Sequence, residues 1–327
     1  MLVVMGHALE HNGYNQSPIF DLIYSFHMPL FFCISGFVTM YACELDRRSK
    51  PSDYGKYIWR KFLAIMLPFF VWSLVVKPFF FAHSFLDVKR ALSGAFSSLA
   101  NNTGLWFLPC LFILLVIFTI WIMIVNRVNR PKQKSPFIET SMILIAGGGL
   151  IILSQSIDYF RSASNYVIPF FVGVMMGRYT TLYDLIVRNK SVFTISLVLF
   201  CLESGYFENI SGFVNRIIRL TTGLLALPVF FHLFEQSSYN TIVNKGLAVL
   251  GKNTLIIYVL NYSFVKGIPI PNEMGIWSQL LVFFIIAVVY SFSFALVGML
   301  LEKSTFLAFC LLGKRPRTSI DNIVTLR

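Results

Sequence analysis

The chain has 327 residues, of which 56% are hydrophobic and only 13% charged, and 34 are phenylalanine. Soluble domains average about 25% charged residues, so too little polar surface is available to cover a soluble fold of this size. With a mean hydropathy of +0.71, the composition excludes a soluble protein. The formal net charge of +12 is read as basic cytoplasmic loops, not as a nucleic-acid surface.

A crossing needs about 20 apolar residues, and helices are the spanning element because lipid offers backbone amides no partner. Ten candidates follow: residues 1–9, 19–43, 62–84, 104–126, 138–156, 165–178, 191–207, 217–235, 247–265 and 277–301. The connections 44–61, 127–137, 178–190 and 236–253, with the tail after 301, carry 20 Lys and Arg, whereas the opposite set carries 6. That asymmetry predicts an all-α polytopic protein of about ten helices with both termini cytoplasmic. It divides into one transmembrane domain, residues 1–312, and a basic tail, 313–327. No cleavable signal pattern and no globular domain outside the spans are seen.

The first span is short. Met1 to Gly6 covers only about 9 Å at 1.5 Å per residue, so either the start lies upstream or the first helix is clipped. On another reading residues 1–15 are a loose tail, nine helices span, and the amino terminus lies outside.

Ionisable groups within apolar sequence face protein or water and mark functional sites. His7 closes the first apolar run, in Met5-Gly6-His7. His27 lies inside the second span, in Phe26-His27-Met28-Pro29, followed by the small pair Ser35-Gly36. Glu10, three residues after His7, would share its helix face and orient or charge the ring. Arg60 and Lys61 precede the third span beside Tyr57 and Trp59. They read either as an interfacial anchor or as a phosphate grip at a cavity mouth. Trp106 opens the fourth span. Asn261 lies in the ninth, and keeps a hydrogen bond without titrating.

The five cysteines and five histidines are dispersed. No metal site is predicted: His7 and His11 have i, i+4 spacing but lack a third protein ligand. There is no Gly-rich phosphate loop.

Five stretches, taken in order, resemble the acyltransferase-3 family of integral membrane O-acyltransferases. They are Val3 to His7; Phe26 to Phe37; Arg60 with Leu67-Pro68 and Trp72; Leu105 to Leu108; and Gly251 to Leu255. The resemblance implies an O-acyltransferase of the bacterial inner membrane. It would move an acyl group, such as acetyl, from acyl-CoA to a hydroxyl of a surface polysaccharide or glycan. Acetyl-CoA would be a donor substrate, not a tightly bound cofactor; lipid and a glycan acceptor would be the partners, and nucleic acid would not. His7 falls on the family's catalytic histidine, as a general base or as a transiently acylated imidazole. Arg60 falls on the arginine that helps hold the acyl-CoA phosphates, with Lys61 adding attraction. His27, Trp106 and Asn261 would line the cavity, and His27 is equally read as a packing residue.

Two departures stand out. The family's arginine eleven positions before the histidine would precede Met1, and Asn261 replaces a histidine common in the ninth-span motif. The appended periplasmic hydrolase-like domain of some members is absent. Rival readings are a transporter of a small anion or glycan precursor, although no internal repeat is evident, and an inactive remnant with its first helix lost.

Overall fold

The structure, a computed structural model, describes residues 1–46, 48–80, 85–100, 104–128, 135–154, 158–203, 213–237, 241–265, 270–271 and 274–314. Arg47, His83, most of the predicted 127–137 connection and the basic tail beyond Lys314 lie outside the described residues. Every regular element described is helical. In chain order they are α1 (Leu2–His11), α2 (Pro18–Tyr41), α3 (Pro51–Phe70), α4 (Lys77–Phe80), α5 (Phe85–Ala100), α6 (Phe107–Val128), α7 (Pro136–Leu153) and α8 (Asp158–Arg178). There follow α9 (Thr180–Tyr183), α10 (Lys190–Glu203), α11 (Phe213–Gln236), α12 (Ile242–Lys252), α13 (Thr254–Phe264), α14 (Ile276–Leu301) and α15 (Thr305–Leu312). π-Helical turns, Val71–Val76 and Asp184–Arg188, follow α3 and α9.

Among the described residues, six helical stretches are long and apolar enough to cross a membrane. The number rises to eight if each of two bent pairs forms one crossing: Thr180–Arg188 with Lys190–Glu203, bent by 59°, and Ile242–Lys252 with Thr254–Asn261, bent by 70°. Their outer faces are apolar. On α7, Leu144, Ile145, Ile151 and Ile152 are 57–74% exposed, a pattern that water would penalise and acyl chains accept. The chain is therefore a multi-pass membrane protein. α1 has ten residues and α8 begins with charged Asp158 and Arg161, so neither belongs to the six.

The predicted loop 44–61 is half helix. Pro51 takes the first helical position, where its missing N–H costs nothing, and the Asp53 carboxylate accepts the Lys50 N–H at 2.8 Å.

The chain forms two compact units, residues 1–44 with 165–296, and 45–164 with 297–327. The first is built around α2. Lipid gives no hydrophobic drive between helices, so association rests on close packing at small residues. Here a Cβ on Gly36 would lie 1.9 Å from the Phe170 carbonyl oxygen, and one on Gly173 1.9 Å from that of Cys33. The bare faces of α2 and α8 thus meet backbone to backbone. On another side Gly223 of α11 receives the Pro29 ring, 2.4 Å from a would-be Cβ. Phe26 packs between Phe200 and Phe230, within a buried cluster that includes Leu30, Cys33, Met176 and Leu227.

In the second unit α3 packs on α6 through Tyr57–Phe118 and Phe62–Phe112 contacts, and the Asn126 amide donates to the Tyr54 hydroxyl at 3.2 Å. The buried Trp72, in the π-helical turn after Pro68, donates its indole N–H to the Leu311 carbonyl at 2.9 Å. Gly313, at φ +65°, then ends α15 with its Cα side against the Ala64 backbone, 2.2 Å from a would-be Cβ. An ion pair of Lys314 with Glu302 closes this end.

Candidate active site

α1 is apolar from Leu2 to Met5 and stops at Asn12-Gly13, where Gly13 adopts φ +79° and reverses the chain. Ser17 then caps α2, its Oγ accepting the Ile19 N–H at 3.3 Å, with Pro18 in the first turn. The buried Tyr14 fixes this reversal, donating to the Pro271 carbonyl at 2.6 Å and meeting the Phe283 ring edge-on, while Ser17 donates to Gln279 at 2.7 Å. The antiparallel pair α1–α2 is thereby set in register, and Gly6 lies against Tyr24.

On that face His7 Nδ1 lies 3.0 Å from Glu10 Oε2. A carboxylate only accepts, so the proton sits on Nδ1, and the Nε2 lone pair is left as the basic end of the ring. An i, i+3 pair on a helix surface is worth only about 0.2–0.5 kcal/mol. Tyr24 of α2 joins it: its hydroxyl is 3.3 Å from the same Glu10 oxygen and 3.4 Å from His7 Nδ1. The His11 ring stacks beside His7 at 6.2 Å between centroids.

His27 is buried one turn below Tyr24, whose ring it meets edge-on at 4.9 Å. Its Nδ1 lies 2.6 Å from the Ile23 carbonyl, which makes Nδ1 the donor and leaves Nε2 as an acceptor. α13 packs on α1. Its Asn261 is 1% exposed and turns its amide back to the Tyr258 carbonyl at 3.0 Å, and its side-chain oxygen finds no hydrogen-bond partner among the described residues.

His7, Glu10, His27 and Asn261 thus belong to the first unit; Arg60, Lys61 and Trp106 belong to the second. Arg60 and Lys61 are the tenth and eleventh residues of α3 and flank one buried ring, that of Tyr57, at 6.0 and 5.1 Å. This is cation–π range. Trp106 is half-buried before α6, edge-on to Phe107. Its neighbours Gly104 and Leu105 line a cavity of about 210 Å³ together with Ser73, Lys77, Gly94 and Ser98.

Sequence reasoning missed two of these groups. Lys77 lies inside the predicted third span and was not among the candidate site residues, although an ionisable residue inside a span is itself a signal. Tyr24 lies in the stretch that carries His27, but its contact with α1 crosses 17 positions and leaves no local trace.

Residues 1–300 match the model of a family described as an acyltransferase domain, acyltransferase-3. Nodulation protein NolL of Mesorhizobium japonicum is 22% identical over 313 residues, covering 85% of this chain and 76% of NolL. No solved structure matches the chain.

Proposed function

We propose, because this chain belongs to the acyltransferase-3 family of membrane acyltransferases, that it transfers an acetyl or similar acyl group from acyl-CoA to a glycan hydroxyl. The bacterial inner membrane is its proposed site. α1 and α8 complete a ten-crossing plan with both termini cytoplasmic, in line with the loop charges.

The observation that carries the reading is the His7–Glu10 pair, 3.0 Å apart on α1. A sugar hydroxyl is a weak nucleophile and gains from a base of near-neutral pKa. His7 Nε2 takes the hydroxyl proton as the oxygen attacks the thioester carbonyl. The tetrahedral intermediate collapses, the C–S bond breaks, and the imidazolium returns its proton to the departing CoA thiolate. Ester and free CoA result. Glu10 holds the Nδ1 proton and offsets the charge of the imidazolium. Arg60, seconded by Lys61, grips the donor phosphates, where a planar guanidinium gives bidentate geometry. His27 and Asn261 bind the acceptor.

Transfer of label from radiolabelled acetyl-CoA, or longer acyl-CoA, to surface polysaccharide in membranes tests this. Transfer that His7→Ala abolishes is expected. Transfer at full rate by His7→Ala, or none by the wild type with any donor, would overturn it.

A further inference from the structure

We propose that Tyr24 is the positioning residue of the His7–Glu10 pair, an inference that rests on the acyl-transfer reading of that pair. The pair alone is poorly held. His7 and Glu10 side chains are 23% and 42% exposed and lie on the same short helix, where a carboxylate has several rotamers of similar energy. Tyr24 reaches the pair from α2. Its single hydroxyl proton goes to Glu10 Oε2 at 3.3 Å, and its oxygen stays 3.4 Å from His7 Nδ1 as a second acceptor for that N–H. The three groups close a triangle in which the carboxylate cannot turn away without breaking two contacts.

The hydroxyl is a fixed point because the ring behind it cannot move. Phe20 stacks on it at 4.1 Å, and His27 meets it edge-on at 4.9 Å. Beneath it lies Gly6, where a Cβ would come within 2.8 Å of the ring carbon Cε2. A glycine one residue before the histidine is therefore what admits the tyrosine. Tyr24 also forms the wall shared by His7 and His27, whose rings it meets at 6.4 and 4.9 Å. Ionisable groups on the elements packed here include Glu10 and His11 on the helix of His7, Asp21, Tyr24 and His27 on α2, and Arg219 of α11, whose charge acts on His27. α13, packed on α1, carries no charged residue and only Tyr258 and Tyr262 as titratable groups.

Tyr24→Phe keeps the ring and removes the hydroxyl. The expected result is a loss of about tenfold in kcat, the equivalent of one hydrogen bond to a charged group, with KM for acetyl-CoA and acceptor unchanged. In the second arm, ¹⁵N spectra of the reconstituted protein labelled at histidine report the His7 tautomer, with the signal identified by its loss in His7→Gln. Wild type shows the Nδ1–H form and Tyr24→Phe a mixture. Gly6→Ala, which drives the ring away, reproduces both changes. Gly148→Ala, where a Cβ meets nothing within 4 Å, reproduces neither. Wild-type kcat in Tyr24→Phe, or a changed KM with kcat intact, would overturn the assignment. If the wild type transfers no acyl group, the acyl-transfer reading falls, and the tautomer arm alone decides Tyr24: an unchanged His7 signal in Tyr24→Phe refutes it.

Discussion

The crossing of α2 and α8 sets a sharp test of how this fold is held. Gly36→Ala adds one methyl group where the facing Phe170 carbonyl oxygen would be 1.9 Å away and the Val174 nitrogen 3.2 Å. Ordinary contact begins near 3.4 Å, so the helices must part by about 1.5 Å, and the obstacle is backbone, which no rotamer relieves. Phe32, Cys33, Phe170 and Phe171 around this point are at most 1% exposed, so separation opens gaps beside fully packed rings. Overpacking of a tight core costs about 1–3 kcal/mol, and the rigid partner puts this site at the upper end. At about 2–4 °C per kcal/mol for a domain of 150–250 residues, the melting temperature in detergent should fall by roughly 6–12 °C. Gly173→Ala, reciprocal against the Cys33 carbonyl, should behave alike. Gly148→Ala is the control, since alanine is favoured in a helix by about 1 kcal/mol and finds open space there. A Gly36→Ala protein melting within 1 °C of the wild type would refute the argument that this crossing is backbone-limited.

Other outcomes follow from the second unit and from the topology. Arg60→Ala should raise KM for acyl-CoA about tenfold to a hundredfold with kcat little changed, since hydrogen bonds to a charged group are worth about 1.5–3 kcal/mol. Arg60→Lys should recover only part of it, and an unaltered KM would return Arg60 to the role of interfacial anchor. Trp72→Phe deletes the 2.9 Å bond to Leu311 at a cost of about 1 kcal/mol. Hydrogen exchange should then quicken in α15 ahead of α6, and uniform protection would count against a pinned α15. A fluorescent protein fused at the carboxyl terminus should fold and emit, whereas alkaline phosphatase there should stay inactive; the reverse would invert the topology.

Much of this architecture is legible in the sequence because lipid imposes so simple a rule. Apolar runs near 20 residues give helices, and α2, α6, α7 and α14 fall within a few residues of their predicted bounds. Surface helices follow a different logic. Phe85–Ala100 carries Asp87, Lys89 and Arg90 and so falls outside the ten predicted spans, because hydropathy finds spans and not amphipathic helices. The early start of α3 was available from Pro51 and Asp53, a helix-opening pattern that the charge count hid. The bend at Asn189 falls in the predicted connection 178–190, whereas the bend at Asn253 was not legible, since it interrupts the predicted span 247–265. At the site, the i, i+3 spacing of His7 and Glu10 put both on one face, and they lie 3.0 Å apart. Tyr24 and Gly6 needed the α1–α2 packing, which no local pattern encodes.

The reversal between α1 and α2 bears on how the protein can be handled. By sequence, His11-Asn12-Gly13-Tyr14-Asn15-Gln16-Ser17 is a polar, glycine-bearing tip, the sort of place where an epitope or a fluorescent insert is usually grafted. Here Tyr14 and Ser17 hold it to Pro271 and Gln279, more than 250 positions away. A graft would disturb the short link between the helix of His7 and the helix of Tyr24. Labels intended to leave the enzyme working belong at the carboxyl end, not in this tip.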